Sequence, residues 1–151
     1  MLKCIVVYTS MTGNTEEIAQ MIGEEIRKAE IEVVVKDSIF VNPEELLEYD
    51  GVIIGAYTWN HGELPDEFHD FFEEMEHLDL KGKIAAAFGS GDRSYPLFCQ
   101  AVEILSNKLK ELGADVVGDG LKIEGAPDEK GLGQCRDFGR KIIESLVCKC
   151  L

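Results

Sequence analysis

No apolar run in the 151 residues approaches the length that spans a bilayer, so a membrane helix is excluded. Positive charge is scarce: 15 Lys and Arg stand against 29 Asp and Glu, a formal net charge of −14. A surface of that sign repels phosphate backbones, which excludes nucleic acid as a partner. It suits basic proteins instead, which such a field steers inward. Cysteine lacks a framework. Cys4, Cys99, Cys135, Cys148 and Cys150 are odd in number and unpaired in spacing, and read as reduced thiols. His61, His69 and His77 form no close-spaced cluster with cysteine, so no metal is expected. Met1-Leu2-Lys3-Cys4 has no signal-peptide layout. With reduced thiols, that points to the cytoplasm. The terminal Cys148-Lys149-Cys150-Leu151 superficially matches a prenylation box. Its middle residues are not aliphatic and no basic patch precedes it, so a frayed helix end is expected.

Apolar residues make up 45% of the chain, enough for a core, and the length suits one domain, residues 1–151. Short apolar runs alternate with stripes at helical spacing. Cys4–Tyr8, Ile31–Val35, Asp50–Tyr57 and Ile84–Gly89 read as strands buried on both faces. Ala114–Val117 and Leu121–Ile123 read as one fifth strand bent at Gly118–Gly120. The stripe Ile18, Met21, Ile22, Ile26 predicts a first helix. A second should begin after Pro65 and carry Phe68, Phe71, Phe72 and Met75. Leu97–Leu112 predicts a third, and Leu132 to Leu146 a fourth. Five strands alternating with helices imply an α/β fold, a doubly wound parallel sheet with helices on both faces.

Such sheets bind ligands beyond the carboxyl ends of their strands. The loops there are Thr9–Thr15, Thr58–Leu64 and Ser90–Tyr95, the stretches of most unusual composition. The first, within "YTSMTGNTEE", contains no Lys or Arg. A tight turn opening a helix presents unpartnered N–H groups that favour an anion. Ser10, Thr12, Asn14 and Thr15 add neutral donors, and Gly13 permits an unusual backbone. A phosphate could be held here without a cation. The competing reading is that these residues only cap a helix. A P-loop would need lysine and a wider glycine spacing, and a dinucleotide fingerprint three glycines. A phosphatase would place cysteine in the turn. The turn is therefore built to anchor a phosphate, not to cleave it. "YTWNHGELPDE" carries the single Trp, Trp59, and "GSGDRSYPLFC" carries Tyr95. Two aromatics beside a phosphate turn suggest a planar ring held between aromatic faces. Alternatively, both side chains plug their loops into the core.

Taken together, "SMTGNT", "TWNHGELP" and "GSGDRSYPLFC" resemble the flavodoxins, specifically the short-chain bacterial members. The resemblance covers the whole chain, since "DGLKIEGAPD" and the last helix also fit, and no insertion of about twenty residues interrupts the fifth strand. It implies the sheet order 2-1-3-4-5 known for flavodoxins and a non-covalently bound FMN. Ser10, Thr12, Asn14 and Thr15, with the amides of Met11 and Gly13, would bind its phosphate. Thr58 would lie near the ribityl chain, and Trp59 and Tyr95 would flank the isoalloxazine. Asn60, His61 and Gly62 would lie beside flavin N5. Backbone groups of Ser90, Gly91, Asp92 and Cys99 would meet the pyrimidine edge or its surroundings, with Phe98 beside them. Many members carry glycine where this chain has Asn60.

The implied function is a low-potential one-electron carrier shuttling electrons between a reductase and acceptor redox enzymes. No catalytic acid, base or nucleophile is evident, so the chain is not expected to be an enzyme. Carboxylates near a flavin oppose its reduction. One charge ~10 Å away at an effective dielectric of ~40 costs about 0.8 kcal/mol, or roughly 35 mV. Asp66, Glu67, Asp70, Glu73, Glu74, Glu76 and Asp79 cluster after the Trp59 loop, where they would steer basic redox partners. Those implied are an NAD(P)H-dependent flavodoxin reductase and acceptor oxygenases, with the chain a monomer. The alternatives are a flavin reductase-type enzyme using NAD(P)H and a flavoprotein that activates a metalloenzyme.

Overall fold

The computed structural model describes residues 2–11, 13–58, 64–91 and 99–150. The elements run β1 (Lys3–Thr9), α1 (Asn14–Lys28), β2 (Glu32–Asp37), two 3-10 helices (Ser38–Phe40 and Pro43–Glu48), β3 (Gly51–Ala56), α2 (Asp66–Met75), β4 (Ile84–Gly91), α3 (Gln100–Glu111), β5 (Asp115–Val116), β6 (Leu121–Glu124) and α4 (Glu129–Cys150). The strands pair in the order β2-β1-β3-β4-β5, all parallel. This is the expected doubly wound sheet in the expected order.

β5 and β6 are two pieces of the fifth strand. β5 pairs with β4 at Ile84 and Ala85, and β6 at Phe88–Gly91. The break is where the glycines predict it. Gly118 and Gly120 have φ of 61° and 91°, a region that side chains resist. Gly120 also has no room for a Cβ, which would strike Val102.

Alternation along the strands divides the core in two. Ile5, Val7, Val52, Ile54 and Ala87 pack with Phe68, Met75 and Leu105 of α2 and α3. Val6, Ile53, Ala86 and Phe88 pack with Ile22 of α1 and Ile142 of α4. Burial of one large apolar side chain contributes about 1.5–3 kcal/mol, so the interior residues of β1, β3 and β4 fix their own register. At the centre, Gly55 of β3 lies opposite Phe88 of β4. A Cβ at Gly55 would run into the Phe88 ring.

The second helix begins after Pro65 as expected, with Pro65 at its cap, φ −59° and ψ 143°. The Pro65 carbonyl accepts from Phe68 N at 2.9 Å, so the helix proper starts at Asp66. Two other boundaries differ from expectation. α3 begins at Gln100, and Leu97 and Phe98 lie outside the described residues. α4 remains helical to Cys150 where a frayed end was expected. Near its end, Lys149 Nζ meets Asp115 Oδ2 at 3.1 Å.

Candidate functional site

The carboxyl ends of β1, β3 and β4 lie side by side in the sheet, which brings the starts of all three candidate loops to one edge. At the first, Gly13 is the cap residue of α1 with φ 93°, and among the described residues no side chain caps the helix. The first bond of the helix runs from Glu17 N to Gly13 O at 3.0 Å. The N–H groups ahead of Glu17 belong to the turn that has no intrahelical acceptors.

The hydroxyls of Ser10 and Thr15 do not close that helix end. Ser10 Oγ accepts from Gly13 N at 3.1 Å, which uses an N–H expected to face the phosphate. As the acceptor, Ser10 retains its own O–H for another partner. Thr15 Oγ1 instead meets Ser90 Oγ at 2.7 Å, with both residues buried. Glu16 turns to the Tyr8 phenol, whose pKa is raised by burial first, then by Glu16 and Asp37. The capping alternative thus finds no bond among the described side chains. Met11 is 61% exposed at the tip of the turn.

Beyond β3, Thr58 Oγ1 accepts from Ala101 N at 3.0 Å. This ties the loop to the first turn of α3, whose cap Cys99 makes no side-chain cap bond. Next to it, Tyr57 Oη donates to Glu67 Oε1 at 2.5 Å, anchoring the loop to α2. Burial, then that bond, then the carboxylates of Glu67 and Asp66 push the Tyr57 pKa well above the usual phenol range.

Beyond β4, Gly91 O accepts from Gly125 N at 2.9 Å. Cys99 has a left-handed backbone, φ 52° and ψ 34°. Its buried thiol lies 3.9 Å from both Gly89 O and Ile123 O, pinning the far end of the loop between β4 and β6. Of the sequence-predicted residues, Ser10, Met11, Gly13, Asn14, Thr15, Thr58, Ser90, Gly91 and Cys99 therefore sit at this edge. Thr12, Trp59, Asn60, His61, Gly62, Asp92, Tyr95 and Phe98 lie outside the described residues. His69 Nε2 bonds Leu64 O at 3.2 Å, a local structural role.

Sequence reasoning missed the Thr15–Ser90 and Thr58–Ala101 contacts. Their partners lie 75 and 43 positions apart, and no local pattern signals them. It also missed the 3-10 helix at Pro43, although its signal was present. Asn42 Oδ1 accepts from Glu44 N at 3.2 Å while Asn42 N donates to Glu45 Oε2 at 2.6 Å, the reciprocal pattern that N-P-E-E announces.

A doubly wound sheet with an uncapped helix N-terminus and two further loops at its switch edge defines a nucleotide- or flavin-binding α/β protein. The flavodoxin family profile matches residues 6–139, and the chain belongs to the flavodoxin family. It is 42% identical over 149 residues to "Probable flavodoxin 2" of Bacillus subtilis, covering 98% of this chain and 99% of that one. It is 42% identical to the flavodoxin of Maridesulfovibrio salexigens over 131 residues, covering 85% and 90%. The crystal structure of oxidised Flavodoxin 2 from Bacillus cereus superposes with a TM-score of 0.93 at 47% identity, covering 95% of this chain and 99% of that one.

Length, and the join of β5 to β6 through residues 117–120 alone, make this a short-chain member. It is an FMN-binding electron carrier, an electron-transfer protein and not an enzyme. As a redox carrier it has redox partners. Neither alternative function gains support from these relatives. Among the described residues, no helix is long and apolar enough to cross a membrane.

The residues fit the cofactor. FMN ends in a phosphate, and the head of α1 offers uncapped donors with no cation in the turn. Helix N–H groups and hydroxyls suffice to hold such an anion.

Proposed function

We propose that the turn Ser10–Thr15 holds the FMN phosphate, through the first-turn N–H groups of α1, the Met11 N–H, the Asn14 amide and the hydroxyls of Ser10, Thr12 and Thr15. The observation that carries this reading is the head of α1, where Gly13 occupies the cap and neither Ser10 nor Thr15 bonds a first-turn N–H of the helix. Thr58 is assigned to the ribityl chain. Its Oγ1 accepts from Ala101 N, so its O–H is left to donate. On the resemblance, Trp59 and Tyr95 take the two faces of the ring and Asn60, His61 and Gly62 the N5 side. Backbone groups of Ser90, Gly91, Asp92 and Cys99, with Phe98, are assigned to the pyrimidine edge. Residues 1–151 act as one FMN-binding domain, a cytoplasmic monomer.

FMN supplies the one-electron chemistry. The chain's part is to bind and to set the field. Between Lys36 and Lys81 there is no Lys or Arg and there are thirteen Asp and Glu residues. That stretch contains both 3-10 helices and α2. At the carboxyl end of β2 it exposes Ile39 by 68% and Phe40 by 73%. Apolar contact amid carboxylates suits a partner with a basic docking surface. An NAD(P)H-dependent flavodoxin reductase on the donor side and acceptor oxygenases on the other fit that description. The same carboxylates lower the potential.

The test is calorimetric titration of the apoprotein with FMN and with riboflavin, which lacks the phosphate. Hydrogen bonds to a charged group contribute about 1.5–3 kcal/mol each. Riboflavin should therefore bind weaker by roughly a hundredfold or more. Equal affinities would remove the phosphate assignment.

A further inference from the structure

The hydroxyls of Thr15 and Ser90 meet at 2.7 Å in the interior, Thr15 being 1% and Ser90 4% exposed. Thr15 stands in the first turn of α1, and Ser90 next to the end of β4. Each hydroxyl has one proton and two lone pairs, and at this distance one donates to the other. The direction decides what Thr15 offers a ligand. If Thr15 donates to Ser90, only oxygen lone pairs remain to face an anion, which repels them. If Ser90 donates to Thr15, the Thr15 proton is released for the anion. A hydrogen bond to a charged acceptor is about twice as strong as a neutral one, so a phosphate at the head of α1 selects the second direction.

We propose that Ser90 is a positioning residue for the phosphate: it donates to Thr15 Oγ1 and so aims the Thr15 proton at the anion. The inference rests on the phosphate reading of the Ser10–Thr15 turn. Ser90 is thereby more than a backbone contact of the ring loop. Through it the end of β4, which leads into that loop, senses whether the turn is filled. The buried position matters, since no bulk water can take over the donation when the Ser90 hydroxyl is removed.

The experiment is a set of dissociation constants for FMN and riboflavin with wild type, Ser90→Ala, Thr15→Val and the double variant. Ser90→Ala should weaken FMN about tenfold, the scale of one hydrogen bond to a charged group, and leave riboflavin unchanged. Thr15→Val should cost much less FMN affinity in the Ser90→Ala background than alone. Ser90→Cys keeps the volume but is a weak donor, and should bind FMN nearly as weakly as Ser90→Ala. It serves in place of the alanine variant if that one does not fold. Equal losses for FMN and riboflavin would assign Ser90 to packing and overturn the inference. Unchanged FMN affinity, or additive losses in the double variant, would overturn it too. If wild type itself binds both ligands equally, the phosphate reading fails first, and this outcome is distinct from the others.

Discussion

Replacing Gly55 with alanine adds one methyl group to the centre of β3, where the backbone is buried on both faces. The methyl carbon would be driven into the Phe88 ring, directly opposite on β4. Apolar carbons sit about 3.5–4.0 Å apart at rest, so the ring must move by more than about 1 Å. It has little room, because Phe88 is fully buried and Leu121 of β6 flanks it on its other side. Overpacking of this kind costs about 1–3 kcal/mol. Alanine returns about 0.4–1 kcal/mol by restricting the unfolded chain. From the middle of each range, the expected net loss is about 1–2 kcal/mol. With a urea slope of about 2 kcal/mol/M for a domain of this size, the midpoint of the apoprotein should fall by roughly 0.5–1 M at unchanged slope. Phe88→Leu should lose stability by itself, yet the double variant should lose less than the sum, because the smaller side chain vacates the space the methyl needs. A midpoint equal to wild type for Gly55→Ala, or strictly additive losses in the pair, would refute this account of the β3–β4 contact.

Neutralising Asp66, Glu67 and Asp70 together should weaken the salt dependence of electron transfer with a basic partner, which in wild type should slow as ionic strength rises. Stopped-flow rates indifferent to both changes would remove the docking role. In an ultraviolet pH titration, Tyr57 should ionise above the ordinary tyrosine range, a late component that Tyr57→Phe abolishes. Because its folded pKa is raised, the stability it lends is complete below about pH 10, the unfolded value, and declines above it as the unfolded chain ionises first. The phenylalanine variant should therefore lose less stability between neutral and strongly alkaline pH than wild type. Thiol alkylation read by mass spectrometry should reach exposed Cys148 first. Cys4 and Cys135, whose pKa values burial pushes up to about 12 and about 11, should react only on unfolding.

Legibility in the sequence followed how local each determinant is. The run Cys4–Tyr8 is apolar throughout because β1 is covered on both faces, and that alone located the strand. The Gly118–Gly120 bend was readable because positive φ demands glycine. Residues 38–49 resisted because a 3-10 turn has no apolar period of its own, and short caps alone mark the two turns, Asp37 the first and Asn42 with Glu45 the second. At the site, the α1 turn was legible from composition, since an anion at a helix head needs small donors and glycine in sequence. What those hydroxyls bond was not. Ser10 closes its own turn, and Thr15 reaches a strand that becomes its neighbour only when the sheet forms.

The broken fifth strand has a consequence for how molecules meet each other. An open sheet ends in two strands with unpaired backbone groups, and a long flat edge invites the edge of another copy to add on. On one side that edge consists of two residues in β5 and four in β6, separated by left-handed glycines. A template so short and so twisted cannot nucleate a ladder. On the other side β2 carries Glu32, Lys36 and Asp37 along its six residues, charges that an incoming strand would have to bury. A protein that works by brief encounters thus keeps its backbone from making permanent ones.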